Sequence, residues 1–375
     1  MSRRVMIIAG EASGDLHGSG VVRELKRLVP ALEILGVGGD LMRQEGMELI
    51  YHIRELSFMG FLEVVKHLPV IRSVERTLTS LLDLKRPDVL VLIDYPGFNL
   101  RFARIAKKRG IKVVYYISPQ VWAWHRSRVK KMKTVVDKML VIFPFEEEFY
   151  RREGIDVEFV GHPLLEVLET GLDRTGFFKR FGIPPETRIL ALIPGSRTQE
   201  IHSIFPVMIG VARRLRQEFD LEVAIGVAPT LDQHFFEGMF DVSGFHLIKH
   251  ATYELMENAH FALVTSGTAT LETACFRTPM FVVYKTSWFT YLLGRLLVSV
   301  KNIGLVNIVA GKQIVPEFIQ HRANIETMTR AARALLNDQS QLAVMREELS
   351  TIKSKLGTTG ASQRVAERIL KCIEQ

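Results

Sequence analysis

Two consecutive α/β domains of the doubly wound type are what this sequence predicts, on three observations. Short continuous apolar runs alternate with amphipathic stretches. The alternation occurs as two series of similar size. Several runs end in turns bearing Gly, Ser or Asp, at the strand ends where such sheets bind ligands.

The first series is RRVMIIAG, LEILGVGG, PDVLVLID, IKVVYYIS and DKMLVIFP. Each is apolar at successive positions, as a strand covered on both faces of a parallel sheet must be. Between them lie amphipathic stretches such as LHGSGVVRELKRL and NLRFARIAKKRG. The second of these closes in basic residues and Gly110, a helix stop. GHPLLEVLETGL, from Gly161 to Leu172, breaks the pattern and reads as a connector. A second series comes after it: RILALIPGSR, LEVAIGVAP, GFHLIKH, HFALVTSG and TPMFVVYK. The expected organisation is a Rossmann-like domain over 1–165 and a second over 166–340, the two facing across a cleft. A helical tail over 341–375 packs back on the first domain or on a partner subunit.

Composition narrows the function classes. With 375 residues, 47% hydrophobic and 24% charged, the chain has the profile of a soluble globular protein. No apolar run reaches the roughly 18 residues of a membrane span. The apolar part of MSRRVMIIAG is too short for a signal peptide and runs into GEASGD without a cleavage site, so it reads as the first strand. Two cysteines, Cys275 and Cys372, make no disulfide framework and point to a reducing cytoplasm. The net charge of +8 is dispersed and accompanies no nucleic-acid-binding motif, which favours a phosphorylated ligand or an anionic membrane surface. Two stretches, Phe58–Val74 and Ser287–Lys301, mix bulky apolar residues with Lys, Arg or His. They suit an interfacial segment on a membrane, and equally a core helix or a face between copies of the chain.

Five short constellations carry candidate chemistry. In FALVTSGTATLETACF a strand ends at Thr265, and Ser266, Gly267 and Thr268 open a helix whose free N–H groups can hold an anion. Glu272 lies one turn on, placed for a pair of ribose hydroxyls; the plain alternative is that Ser266 or Thr268 only caps the helix. In LALIPGSRTQE, Ser196 and Arg197 come after another strand, and a guanidinium there can clamp a diphosphate. AGEASGD is Gly-rich without being G-x-G-x-x-G, and Glu11 and Asp15 suit sugar hydroxyls better than a cofactor pyrophosphate. In VLVLIDYPGFN, Asp94 ends a central strand as a candidate general base or an Asx-turn residue, with Asn99 the better helix cap. YYISPQVWAWHRSR sets Trp122 and Trp124 in a loop before His125, Arg126 and Arg128. Walker A, G-x-S-x-G, D-x-D and metal-spaced Cys or His patterns are all missing, so neither a metal nor a cofactor is expected. His162, in GHP at the domain junction, is the histidine that merits a test.

In this order, GEASGD, IDYPGFN, SPQVWAW, GHP, PGSR, TSGTATLE and NIVAGKQIVPEFIQ resemble the lipid A disaccharide synthases over almost the whole chain. The resemblance implies a GT-B glycosyltransferase that works without a metal, cytoplasmic and peripheral at the inner membrane of a Gram-negative bacterium. Its substrates would be UDP-2,3-diacylglucosamine and 2,3-diacylglucosamine 1-phosphate, and its products a β-1,6-linked disaccharide and UDP. Asp94 falls on the family's catalytic aspartate and Arg197 on its UDP-binding arginine. Ser266, Gly267, Thr268 and Glu272 fall on the nucleotide-sugar site with Ser196 and Asn307 nearby, and Glu11 and Ser13 on the loop facing the reaction centre. Gly97 stands where some members carry a second Asp, which puts a two-carboxylate mechanism in doubt. Other GT-B enzymes acting on UDP-N-acetylglucosamine, and a non-catalytic nucleotide-sugar or lipid binding module, are the alternatives.

Overall fold

The computed structural model describes residues 3–55, 68–119, 121, 127–286 and 302–374. The chain divides into two units, one formed by Met1–Glu166 with Leu356–Gln375 and the other by Val167–Lys355. The helix Gln339–Lys355 therefore stays with the second unit, and only the residues after it join the first. The return begins later than the 341 boundary expected from sequence, because Leu342, Met345, Leu349 and Ile352 are buried along one side of that helix.

In the first unit, seven parallel strands are described: β1 (Arg4–Ala9), β2 (Glu33–Gly38), β3 (Glu48–His52), β4 (Val89–Ile93), β5 (Lys112–Tyr116), β6 (Lys138–Val141) and β7 (Val157–Phe159). Their order is β3-β2-β1-β4-β5-β6-β7. The second unit has β8 (Arg188–Ile193), β9 (Leu221–Val227), β10 (His246–Lys249), β11 (Ala259–Thr265), β12 (Met280–Tyr284) and β13 (Glu317–Ile319), in the order β10-β9-β8-β11-β12-β13. The central strands are buried at successive positions, which is why they read as unbroken apolar runs.

Strand order matters for function. In the first unit the chain leaves β1 toward β2 on one side and β4 toward β5 on the other. The crevice beyond the carboxyl ends of β1 and β4 is thus a topological switch point, where open α/β sheets bind ligands. In the second unit the same reversal falls between β8 and β11.

The C-terminal helix Ala361–Glu374 packs on the helix Ala12–Leu28. Glu166 accepts hydrogen bonds from the Ser362 N–H and hydroxyl, and Arg364 donates to the carbonyls of Val160, Thr358 and Thr359. Of the stretch Phe58–Val74, only the end from Leu68 is described; there Ile71 and Val74 join the core of the first unit, the plain reading of that part. Ser287–Lys301 and the two tryptophans of SPQVWAW lie outside the described residues.

Candidate active site

Ala9 of β1 pairs with Ile93 of β4, so the loops carrying Glu11 and Asp94 leave adjacent strands at one level. Asp94 (φ 46°) and Tyr95 (φ 47°) both adopt left-handed backbone. Asp tolerates that region and Tyr does not, and each such residue costs about 1–3 kcal/mol unless its surroundings hold it. The ring of Tyr95 lies directly over Gly10, where a Cβ would come within 2.2 Å of it; any larger residue at position 10 would displace the turn.

The Asp94 carboxyl is drawn out of water, and burial first, then the nearby Glu11 carboxylate, raises its pKa to about 6. The Tyr95 backbone N–H partly offsets this by donating to it. A carboxylate poised there is a better proton acceptor than a free aspartate and still ionised at neutral pH. Ser13 is exposed on the first turn of the helix that Glu11 opens.

Asp15 is not part of this arrangement. Its carboxylate is buried and accepts the N–H groups of Gly39, Leu41 and Met42, closing the start of the helix Asp40–Gln44. Asn99 is likewise no cap: it sits inside the helix Pro96–Lys107, and its amide donates back to the carbonyls of Ile93 and Asp94. His162 is buried, accepts the Leu164 N–H at Nδ1, and is held to a pKa of about 3 by burial and by His17. It is a neutral structural group at physiological pH.

In the second unit, Ile193 of β8 pairs with Val264 of β11, which brings the Pro194–Arg197 turn beside Ser266 and Gly267. The approach is close: a Cβ on Gly195 would lie 2.8 Å from the Thr265 methyl. Gly267 (φ 147°) is the N-cap of the helix Thr268–Cys275, and no side chain caps that helix. The Ser266 hydroxyl donates instead to the Ile303 carbonyl, and the Thr270 hydroxyl to the Gly267 carbonyl. Ser266 is thereby a brace, and among the described residues no side chain accepts from the first-turn N–H groups; that of Thr270 donates to the Gly267 carbonyl. Thr265, nearly fully buried between these turns, has a hydroxyl with no partner among the described residues.

Ser196 and Arg197 are exposed at the start of the helix Thr198–Phe219, and Arg197 lies 3.2 Å from Glu200. A contact this exposed is worth little, so it does not tie the guanidinium down. Glu272, one turn into its helix, is enclosed enough that burial raises its pKa to about 7. Burial and then the Glu272 charge push the neighbouring Tyr253 phenol upward as well. Asn307 is different. Fully buried, it donates to the Val315 carbonyl and Glu317 and accepts from the N–H groups of Ile314 and Val315. Its amide is spent on its own loop, so any effect on a ligand passes through that loop.

Tyr95, Tyr115 and Thr265 carry no sequence signal that sets them apart from core residues. Only the left-handed turn, and the register of β4 with β5 and of β8 with β11, bring them to the switch points.

Two parallel-sheet α/β units, each with its own switch point, make up the fold class that GT-B glycosyltransferases and UDP-GlcNAc 2-epimerases share. Solved structures agree in fold. A UDP-GlcNAc 2-epimerase from Neisseria meningitidis, bound to UDP-GlcNAc, matches with a TM-score of 0.67 at 14% identity, over 98% of this chain and 100% of its own. The calicheamicin glycosyltransferase CalG4 matches with a TM-score of 0.64 at 13% identity, over 100% and 99%. The family itself is defined by sequence. A family model described as Lipid-A-disaccharide synthetase matches residues 5–372, and the Lipid-A-disaccharide synthase of Syntrophus aciditrophicus is 43% identical over 100% of this chain and 99% of its own length. The chain belongs to the lipid-A-disaccharide synthase family and is a glycosyltransferase.

Proposed function

We propose that this chain transfers the sugar of UDP-2,3-diacylglucosamine to the 6-hydroxyl of 2,3-diacylglucosamine 1-phosphate. In this reading the second unit holds the donor. The open N–H groups at Gly267–Ala269 and the Arg197 guanidinium take the diphosphate, and Glu272 takes the ribose hydroxyls. The first unit holds the proton acceptor, Asp94, with Glu11 tuning it and Ser13 within reach of sugar hydroxyls.

The acceptor oxygen forms a bond to C1 from the face opposite the diphosphate. The C1–O bond to UDP breaks with its electron pair leaving on the phosphate, and the hydroxyl proton passes to Asp94. The anomeric centre inverts from α to β. A carboxyl of pKa about 6 cannot take a proton from a free alcohol, so proton transfer accompanies bond formation. Negative charge grows on the departing diphosphate, where Arg197 and the helix N-terminus offset it; groups in that role commonly contribute about 10²–10³ in rate. No metal is invoked in this reading.

Among the described residues no helix is long and apolar enough to cross a membrane. We assign peripheral association, with the acyl chains, to the apolar and basic stretches at 58–67 and 287–301, whose composition suits an interface. Substituting Phe61, Leu62 and Val65 by polar residues should reduce liposome binding while leaving UDP affinity intact.

The single observation that carries the catalytic reading is Asp94, desolvated and left-handed at a switch point. UDP release with both acylated substrates tests it. Asp94→Asn should keep UDP affinity and lose about 10²–10⁴ in turnover, the range for general acid–base groups. Turnover close to that of the parent protein would remove Asp94 from the mechanism.

A further inference from the structure

We propose that Tyr115 and Asn99 are positioning residues for Asp94, gripping its backbone carbonyl from two directions so that its carboxylate is held in the reactive orientation. The inference rests on the reading of Asp94 as the base. Its geometry is independent of that reading.

The left-handed pair Asp94–Tyr95 comes directly after β4. The Asp94 N–H still donates to the Tyr116 carbonyl at 3.1 Å, so the ladder between β4 and β5 runs one residue past the strand before the chain turns away. At that point the Asp94 carbonyl would be left facing the interior. The Tyr115 hydroxyl donates to it, and Asn99 Nδ2 donates to it at 2.8 Å. Asn99 also reaches the Ile93 carbonyl at 3.2 Å, so one amide spans the last strand residue and the first turned one. Both donors are completely buried, Tyr115 on β5 and Asn99 in the helix after Asp94.

A tyrosine that merely fills a core needs some carbonyl for its hydroxyl. Here the acceptor is the carbonyl of the one residue whose side chain is the candidate base, it is shared with a second buried donor, and it lies at the strained turn. Remove either donor, and the preference of non-glycine residues for negative φ is opposed at that carbonyl by one hydrogen bond instead of two. The peptide relaxes toward extended backbone, and the carboxylate swings toward water. Among the described residues, Glu11 after β1 bears on Asp94 electrostatically, Asp94 in turn bears on the Tyr115 phenol on β5, and Arg101 on the helix Pro96–Lys107 acts on Tyr95. Substituting Tyr115 or Asn99 leaves the charges of Glu11 and Arg101 in place.

Tyr115→Phe keeps the ring in the core and deletes only the hydroxyl; Asn99→Ala is the second probe. Steady-state kinetics with both acylated substrates, UDP titration and thermal unfolding are measured on each and on Asp94→Asn. In both probes kcat should fall about tenfold or more, with KM for either substrate and UDP affinity within about twofold of the parent protein. The acidic limb of kcat should move to lower pH, because a carboxylate returned to water regains its ordinary acidity. Loss of stability with kcat and the acidic limb unchanged would overturn the proposal and leave both residues as core. Full turnover by Asp94→Asn would overturn the base assignment itself. An inactive Asp94→Asn beside a fully active Tyr115→Phe would overturn only the positioning role.

Discussion

Asp94 and Glu272 are perturbed in the same direction for the same first reason: each carboxyl is lifted because water has been taken from it. The consequences differ. Asp94 must be ionised to accept a proton, so activity should fall as pH drops through about 6. Glu11→Gln removes the second cause of the shift and should move that acidic limb down while UDP affinity stays put. A limb that does not move in the pH–rate profile would show that Glu11 acts otherwise. Glu272, near half-protonated at neutrality, receives hydroxyl donors best as a carboxylate. UDP affinity should therefore weaken as pH falls below about 7, by up to about tenfold per unit, and level off above it. Calorimetric titration on both sides of neutrality checks this, and Glu272→Gln should abolish the slope; a slope that survives assigns it to the phosphates. At this scale the sequence located the turns that follow the central strands, those holding Asp94, Arg197 and Gly267. It was silent or misleading where the partner is distant in the chain. Asp15 reads as a ligand until Gly39, Leu41 and Met42 are seen to claim it, and Asn99 reads as a cap until its amide is seen to turn back on β4. Asn307 is the same case, since Ile314, Val315 and Glu317 take every bond it offers.

Strands that form the middle of each sheet were legible, and the ones that escaped, β3, β7 and β13, are all edge strands. An edge strand in a sheet flanked by helices is covered less completely, so it need not be apolar at every position; β3 has no fully buried residue at all. The return of the chain to the first unit depends on fit more than on pattern. Gly20 faces Ser362, and a Cβ there would lie 2.4 Å from the Ser362 hydroxyl that Glu166 accepts from. Gly20→Ala should push the C-terminal helix off this seat and cost about 1–3 kcal/mol, the usual penalty of overpacking. Gly97, where an added Cβ would meet nothing within 4 Å, is the matched control, and Gly97→Ala should leave the melting temperature nearly unchanged. Equal melting temperatures for the two variants would mean that the helix seat yields without cost.

For the whole molecule, the decisive feature is that the second unit is one continuous stretch, Val167–Lys355, whereas the first needs Leu356–Gln375 to be complete. Every group assigned to the donor, from Ser196 and Arg197 through Gly267 and Thr268 to Glu272, lies within that stretch. The whole sheet β10-β9-β8-β11-β12-β13 lies there too, together with the helix Gln339–Lys355, whose apolar side is buried. A unit of ordinary domain size, whose described strands all lie in one continuous stretch of chain, should fold alone. Residues 167–355 expressed by themselves should therefore unfold cooperatively and be stabilised by UDP. Binding at a hundred times Kd contributes about 2.7 kcal/mol, enough to raise the melting temperature by several degrees. Arg197→Ala in the same fragment should reduce that increment, because a hydrogen-bonded charge on a diphosphate contributes about 1.5–3 kcal/mol. The complementary fragment 1–166 should be much less stable until residues 356–375 are supplied, since Glu166, Val160 and Lys112 all lose partners on the C-terminal segment. A fragment 167–355 that folds but gains nothing from UDP would place part of the nucleotide site outside the second unit. One that gains fully after Arg197→Ala would leave the helix N-terminus as the sole anion holder.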